Sequence, residues 1–409
     1  MTAPAVLAEP QAGPDGTAAW MRATPTGRPF DAETVEFAGA LSRRLGRAGG
    51  RVPELQALAY WTRPGEIRRL AADFAALEND GCLLVPRGTV FHVPPSNVDT
   101  IFVYSWLMSA LVGNRNVVRL SDRAGGHTEL IVGLLRELLD EGFDGVRDAL
   151  RIVRYGHDDT WTAALSAACD LRVIWGGDST VDTIRRSPLP PHATELTFPD
   201  RFSLAVMRAP AYLAAPDRDA LVSRFRADAY MFDQRACSSP RLVVWVGSRA
   251  EAALASEDFF GRLATLVGAG GYPVDGSLAV SKLGYVYGAV LDQPVSACRW
   301  YDNALAVLTV ERFGQPRREH CGGGVFHELR LDALNDLVPH IERRDQTIVH
   351  HGFTGAELTG LVRALNGRGV DRIVPLGQAL TFQRVWDGHD LLQAFTRRVT
   401  VSTAEVLPG

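Results

Sequence analysis

The sequence predicts an α/β protein in which a parallel, helix-covered sheet is followed by a second α/β unit. Three observations carry that prediction. From Cys82 onward, short apolar runs alternate with longer amphipathic ones. Strand, helix, strand repeated in this way favours parallel pairing with helices on both faces. The length, 409 residues, exceeds one ordinary core. A content of 46% hydrophobic and 22% charged residues is that of a soluble globular chain.

Residues 1–28 are rich in Ala, Pro, Gly and Thr and predict a disordered tail. A charged helical segment covers 31–79, with breaks near Gly49 and Pro64. A strand at 89–93, a helix at 99–112, a strand at 116–120 and a helix at 128–140 follow. In the last of these, Leu130, Ile131, Leu134, Leu135 and Leu138 form one wide apolar face, and Gly142 is placed to stop it. A strand at 151–155, a helix at 160–168, a strand at 171–175, a short helix and a strand at 203–206 continue the alternation. Its rhythm is that of a nucleotide-binding architecture. The second unit begins near Ala211, with a helix at 217–232, a strand at 241–246, a helix at 257–267 and a strand at 304–310. A helix at 358–365 and a terminal strand at 396–402 close the chain. The implied domains are 29–208 and 209–380, after the tail. A segment at 381–409 returns to the first domain or forms an oligomer interface.

A formal charge of −4, from 43 basic and 47 acidic residues, gives no basic field of the kind that binds nucleic acid. Lys282 is the only lysine; the arginine bias fits a GC-rich genome. The five cysteines, at 82, 169, 237, 298 and 321, include no C-x-x-C pair. Their odd number argues against a disulfide framework and for a reducing compartment. No basic start followed by an apolar core marks a secretion signal. The apolar run from Ile101 to Gly113 falls short of the roughly 20 residues that span a bilayer. A cytoplasmic protein without a membrane span is expected.

The stretch from Phe232 to Pro240 reads Phe-Asp-Gln-Arg-Ala-Cys-Ser-Ser-Pro and lies between a helix and a strand. Cys237 therefore belongs to a turn, where a thiol is open to a substrate and Ala236, Ser238 and Ser239 allow close approach. A small hydrophobe at a strand entrance is the other reading. After the strand at 89–93, Pro94-Pro-Ser-Asn97 leads into a helix. The Asn97 amide can donate to a developing oxyanion, or Ser96 or Asn97 can simply cap the helix. Gly176, Gly177 and Asp178 end one strand and open a helix, a place suited to a phosphate or to a plain tight turn. Glu195 is a candidate general base or a solvated carboxylate. His320-Cys-Gly-Gly-Gly324 and His350-His351 lack the partners of a metal site and read as loops.

Together these runs resemble the aldehyde dehydrogenase superfamily. Within it, they resemble the acyl-CoA reductase family of the bacterial bioluminescence fatty acid reductase complex. The resemblance covers roughly residues 80–402 and implies an aldehyde dehydrogenase-like fold, with a Rossmann-type cofactor domain and a second α/β domain bearing the cysteine. Gln234-x-x-Cys-Ser-Ser-Pro240 resembles the nucleophile motif, which makes Cys237 the acyl-accepting thiol. Val93-Pro-Pro-Ser-Asn97 is similar to the proline–asparagine turn, which makes Asn97 the oxyanion donor. Ala110 to Asn114, followed by Val117 to Leu120, is similar to the segment leading to a cofactor-contacting lysine, here Arg119. Gly176, Gly177 and Asp178 match the turn lying against the dinucleotide. Asp371 to Gly377 and Val385 to Gly388 are similar to the reductase family's tail.

The sequence also departs from the pattern. Aligning Arg201 with the lysine of the hydrolytic Glu-Leu-Gly-Gly-Lys run puts Thr197 where those enzymes carry their water-activating glutamate, with Glu195 two residues away. Without that base an acyl-enzyme is protected from water, which implies thioester reduction to an aldehyde. If Glu195 reaches the site, hydrolytic oxidation of an aldehyde to an acid is the alternative. A Cys/His acyltransferase and a non-catalytic acyl-carrying subunit are further readings. Arg119 beside an adenosine ribose favours NADPH over NADH through its fork of donors. The resemblance further implies an acyl-CoA or carrier-bound substrate, an acyl-activating partner enzyme and a homo-oligomer.

Overall fold

The computed structural model describes residues 13–23, 27–50, 52–79, 81–95, 98–122, 125–312 and 320–402. The chain divides into two units, Met1–Pro199 with Phe382–Gly409, and Asp200–Thr381.

The first unit opens with a helix inside the segment expected to be a disordered tail. In α1 (Pro14–Met21) a proline occupies the first turn, where its missing N–H is no loss. Ala18 and Met21 are buried, and Arg115 and Arg151 place their guanidiniums 4.6 and 4.5 Å from the Trp20 ring. Composition hid this element because its anchors are one tryptophan and one methionine among small residues. Residues 1–12 and 24–26 of the expected tail lie outside the described residues.

The charged segment forms α2 (Ala32–Ala48), α3 (Pro53–Trp61) and α4 (Pro64–Ala75), interrupted where Gly49 and Pro64 predict. Then come β1 (Cys82–Pro86), β2 (Thr89–Val93), α5 (Ile101–Leu111), β3 (Arg115–Leu120), α6 (Gly126–Asp140), α7 (Asp144–Asp148), β4 (Leu150–Arg154), α8 (Asp159–Ser166), β5 (Leu171–Trp175), α9 (Asp178–Arg185) and β6 (Thr194–Phe198). The apolar run at 101–113 is a core helix, α5, buried on every side.

Strands β2 to β6 form an all-parallel sheet in the order β4-β3-β2-β5-β6. Counted from β2 this is 3-2-1-4-5, the order of a dinucleotide-binding half, with its switch point between β2 and β5. Phe91, Val93, Val117, Val153 and Ile174 pack against α1, α8 and α9 on one face. On the other face, the buried His92 ring bonds Ser105 of α5 at 2.8 Å and Asn116 at 3.0 Å.

The second unit contains β7 (Phe202–Arg208), α10 (Ala209–Leu213), α11 (Arg218–Tyr230), β8 (Pro240–Val246), α12 (Arg249–Ala269), α13 (Gly276–Asp292), β9 (Val295–Tyr301), β10 (Leu305–Val310), β11 (Val325–Leu331), β12 (Asp345–His351), α14 (Gly355–Leu365) and β13 (Arg372–Pro375). Its seven-stranded sheet runs β13-β12-β7-β8-β11-β10-β9, parallel except for β9. The strand expected at 203–206 therefore belongs to this sheet, and the units part at Pro199 rather than after residue 208. Pairing decides this: β7 lies between β8 and β12, both distant in sequence.

The remaining chain rejoins the first unit as β14 (Val385–Trp386), β15 (His389–Asp390), α15 (Leu391–Ala394) and β16 (Thr396–Thr400). β16 pairs antiparallel with β1, and Arg87 donates to the carbonyls of Ala394 and Thr396, each at 2.8 Å.

One buried acid makes the second unit's stability depend on pH. The Asp228 carboxylate, at the end of α11, accepts the N–H groups of Gly377 (2.6 Å) and Ala379 (2.8 Å). Burial outweighs those donors and pushes its carboxyl up to about 7. The unfolded value is near ~3.9, so the folded chain holds the extra proton between the two. The contribution is fully present below about pH 4 and is lost as pH rises through about 7. Asp228→Asn is expected to flatten the fall in unfolding free energy between about pH 4 and 7. Parallel urea titrations of the two proteins check this, and identical slopes would count against it.

Candidate active site

Cys237 lies in the turn that joins α11 to β8. The chain leaves α11 and bends sharply at Asp233 and Gln234, both in the left-handed region with φ of +52° and +61°. The buried Gln234 side chain stabilises that bend. Its amide N–H donates to the carbonyls of Pro240 (3.0 Å) and Val325 (2.9 Å), and its oxygen accepts from Gly324 N (3.1 Å). Gln234 thus links the cysteine turn to the glycine run at 322–324.

That run is a loop, as the sequence predicts, and it embraces the turn. Gly323 N donates to the Asp233 carbonyl at 2.9 Å. A Cβ at Gly322 would sit 2.3 Å from the Asp233 oxygen, and one at Gly324 only 2.2 Å from the Ala304 oxygen. Both glycines have positive φ, so side chains are excluded by conformation as well as by space. A glycine triplet was the available signal, but what it approaches lies some 90 residues away in sequence.

Cys237 itself is partly exposed. Its carbonyl accepts from Ser203 Oγ at 2.7 Å, and Gln346 Nε2 on β12 points an N–H at its sulfur from 3.6 Å. The neighbouring Ser238 and Ser239 are buried, and their hydroxyls have no hydrogen-bond partner among the described residues. Three of the other thiols are held in the neutral form. Burial pushes Cys169 up to about 12 and Cys321 up to about 11. Cys298, on the edge strand β9, is raised for the same reason.

Further groups lie near the turn. Burial lowers the Arg241 guanidinium, and the influences that oppose it come from Cys237 first, then Tyr285, Asp200 and Cys321. His320 is held well below its usual value by burial, reinforced by Arg241 and His327. The Tyr285 ring lies 4.9 Å from the His320 ring and 5.9 Å from that of His327. Lys282 donates to the carbonyls of Asn303 and Gly323, and burial lowers it to about 8. Arg241, Gln346, Tyr285 and Lys282 were not sequence candidates. Among the described residues no three His, Cys, Asp or Glu side chains form a metal-holding group; His350 and His351, expected in a loop, lie instead at the end of strand β12.

In the first unit, the loops after β2 and β5 lie at the switch point of the sheet. Gly176 and Gly177 follow β5, and Gly177 caps α9 with no side-chain bond. The first N–H groups of α9 are thereby left for a ligand. Asp178 is the first residue of α9. These features fit a dinucleotide. Arg119 sits near the C-terminal end of β3, where its Nε and Nη2 donate to the carbonyls of Tyr155 (3.3 Å) and Gly156 (2.9 Å). Asn97 lies outside the described residues.

Glu195 is placed differently from the sequence expectation of a base or a solvated carboxylate. On β6 it stands beside Arg172 of β5, whose Nε and Nη2 both donate to Oε2, at 2.9 and 2.5 Å. Arg185 Nε donates to Oε1 at 2.7 Å. Both carboxylate oxygens are occupied by guanidinium groups, so Glu195 ties β6 to β5 and α9.

A family model described as acyl-CoA reductase (LuxC) matches residues 77–264. No curated protein matches the chain. Among solved structures, an aldehyde dehydrogenase from Mycobacterium tuberculosis complexed with NAD+ aligns with a TM-score of 0.66 at 13% identity, covering 97% of this chain and 91% of that one. Methylmalonate-semialdehyde dehydrogenase from Oceanimonas doudoroffii aligns at 0.65 and 14% identity, covering 96% and 91%. Lactaldehyde dehydrogenase from Escherichia coli aligns at 0.62 and 13%, covering 95% and 86%.

Proposed function

We propose that this chain, which a model of the acyl-CoA reductase (LuxC) family matches over residues 77–264 and whose fold is aldehyde dehydrogenase-like, reduces an acyl thioester to an aldehyde through an acyl-enzyme on Cys237, using NADPH. The family match and the fold support an oxidoreductase acting between the acyl and aldehyde levels with a nicotinamide cofactor. The observation that carries the thioester reading over the hydrolytic one is Glu195. A carboxylate held by Arg172 and Arg185 is not free to take a proton from water.

The Cys237 sulfur adds to the thioester carbonyl, the bond from that carbon to the departing sulfur breaks, and the released thiolate takes up a proton. The acyl group remains on Cys237 as a new thioester. The resemblance assigns the transient oxyanion to the Asn97 amide together with a backbone N–H at Cys237. When bound, the nicotinamide supplies a hydride. Cys237 keeps the carbonyl carbon oriented throughout, then leaves as the aldehyde forms. Gly176, Gly177 and Asp178 would hold the dinucleotide. Arg119, with two nitrogens already committed to carbonyls, would offer Nη1 to a 2′-phosphate. The acyl donor is CoA, a carrier or an acyl-activating partner enzyme, and five cysteines with no C-x-x-C pair suit a cytoplasmic setting.

Intact-mass measurement after adding acyl-CoA without reductant is expected to give one acyl adduct, located on the peptide containing Cys237. Adding NADPH should discharge it as aldehyde faster than NADH does. Absence of any adduct would overturn the covalent scheme. Glu195→Gln should leave thioester reduction within about threefold of the parent, because the carboxylate takes no part in proton transfer. Selective loss of acid formation from aldehydes in that variant would instead support hydrolytic oxidation.

A further inference from the structure

We infer that two β-bulges flanking Ser203 bring Gln346 and Arg241 to Cys237, where they hold its sulfur as the thiolate, Gln346 as a hydrogen-bond donor and Arg241 as a counter-charge. The inference rests on Cys237 being the nucleophile, as proposed above, and is independent of which acyl donor it serves.

β7 lies between β8 and β12, and each neighbour carries extra residues opposite Ser203. On β8, Ser203 pairs with Pro240 and Leu204 with Leu242, so Arg241 has no partner on β7. On β12, Phe202 pairs with Asp345 and Leu204 with Ile348, leaving both Gln346 and Thr347 opposite Ser203. A bulge bends its strand and re-aims a side chain that regular alternation would point elsewhere. Two of them, at the same level on both sides of one strand, converge on the cysteine turn.

Ser203 joins the three segments. Its hydroxyl donates to the Cys237 carbonyl at 2.7 Å and accepts Thr347 N–H at 3.3 Å. With the turn and β12 fixed to one atom, Gln346 Nε2 reaches the sulfur at 3.6 Å. An N–H directed at sulfur favours the charged form of that sulfur.

Arg241 supplies the second term. Among the described residues its guanidinium has no hydrogen-bond or ion-pair partner, and it lies 6.0 Å from the centroid of the Phe202 ring. An unpaired cation in partly apolar surroundings is costly unless an anion is supplied. The groups facing it are Cys237 from the turn, Tyr285 from α13, His320 and Cys321 from the loop before β11, and Asp200 before β7. Burial raises Tyr285 and Cys321 and lowers His320, which leaves all three neutral at pH 7. The two remaining groups that favour the Arg241 charge are Cys237, the stronger, and Asp200; the thiolate forms when the Cys237 thiol loses its proton to water.

The test is the rate of iodoacetamide alkylation at Cys237 in the full chain, followed by peptide mass across pH 5 to 10. Arg241→Gln and Gln346→Leu are each expected to slow alkylation about tenfold at pH 7 and to shift the half-maximal pH up by about one unit. Arg241→Lys, which keeps the charge, should stay within about threefold of the parent. At pH 10 all four proteins should react alike, because every thiol is then ionised. An unchanged half-maximal pH in Arg241→Gln would overturn the inference. So would a loss equal at all pH values, which marks altered access. If Gln346→Leu fails to fold, the Arg241→Gln and Arg241→Lys pair decides. Failure of acyl-CoA to acylate a cysteine whose alkylation profile behaves as stated would overturn the reductase reading and leave this inference standing.

Discussion

Cys237→Ala is expected to abolish thioester reduction, with kcat/KM falling by at least about 10⁴-fold and the acyl adduct disappearing from the mass spectrum. The size follows from loss of the thiol that would carry the acyl group. Cys169 and Cys321 are held as neutral thiols by burial, and Cys298 lies on β9, at the edge of the sheet and two strands beyond β11. Alanine also keeps the backbone of the turn. The Ser203 bond goes to the Cys237 carbonyl, and the Gln234 bonds go to Pro240, Val325 and Gly324, so none is lost with the sulfur. Melting temperature should therefore shift little while activity vanishes. Steady-state rates, intact mass and thermal melts on one preparation separate the two effects. Residual activity within tenfold of the parent, or an adduct persisting on the variant, would remove Cys237 from the chemistry.

The parts of this molecule legible in its sequence are those whose signal is local. The strands at 89–93 and 171–175 coincide with β2 and β5, because each is a short apolar run closed by Pro-Pro or Gly-Gly. The helix at 128–140 is α6 but for two residues, since its apolar face repeats at helical spacing. Cys237 was legible as a turn thiol because its stretch falls between a helix and a strand. Features set by pairing were not. β12 begins Asp-Gln-Thr and β11 buries His327 and Glu328, so neither reads as a core strand until Trp245, Arg299 and Thr309 are seen bonding Glu328. Gln346 stands 109 residues from the sulfur it approaches. Glu195 invited reading as a base because its two guanidinium partners come from β5 and α9, and only the sheet order brings them together.

Arg172→Ala is expected to be the most destabilising single change in the first unit, costing about 3–5 kcal/mol. The Arg172 side chain is only 3% exposed. Besides its two bonds to Glu195, its Nη1 donates to Ser166 Oγ (2.9 Å), Ile184 O (3.2 Å) and Ser187 O (2.7 Å). Truncation leaves the Glu195 carboxylate with Arg185 alone and strips two carbonyls at the end of α9 of their donor. Arg185→Ala is the control: its side chain is 53% exposed, and an exposed pair contributes about 1 kcal/mol or less. Salt separates the two further, since about 1 M salt screens the exposed pair and leaves the buried one largely intact. The consequence reaches the cofactor loop. Gly176 N donates to Phe198 O at the far end of the same β5–β6 pairing, so loosening Arg172 frees the turn that carries Gly176, Gly177 and Asp178. Weaker nicotinamide binding should therefore accompany the lost stability, measured by urea unfolding and cofactor titration. A loss no larger than that of Arg185→Ala would show that Arg172 is not what fastens β6 to the sheet.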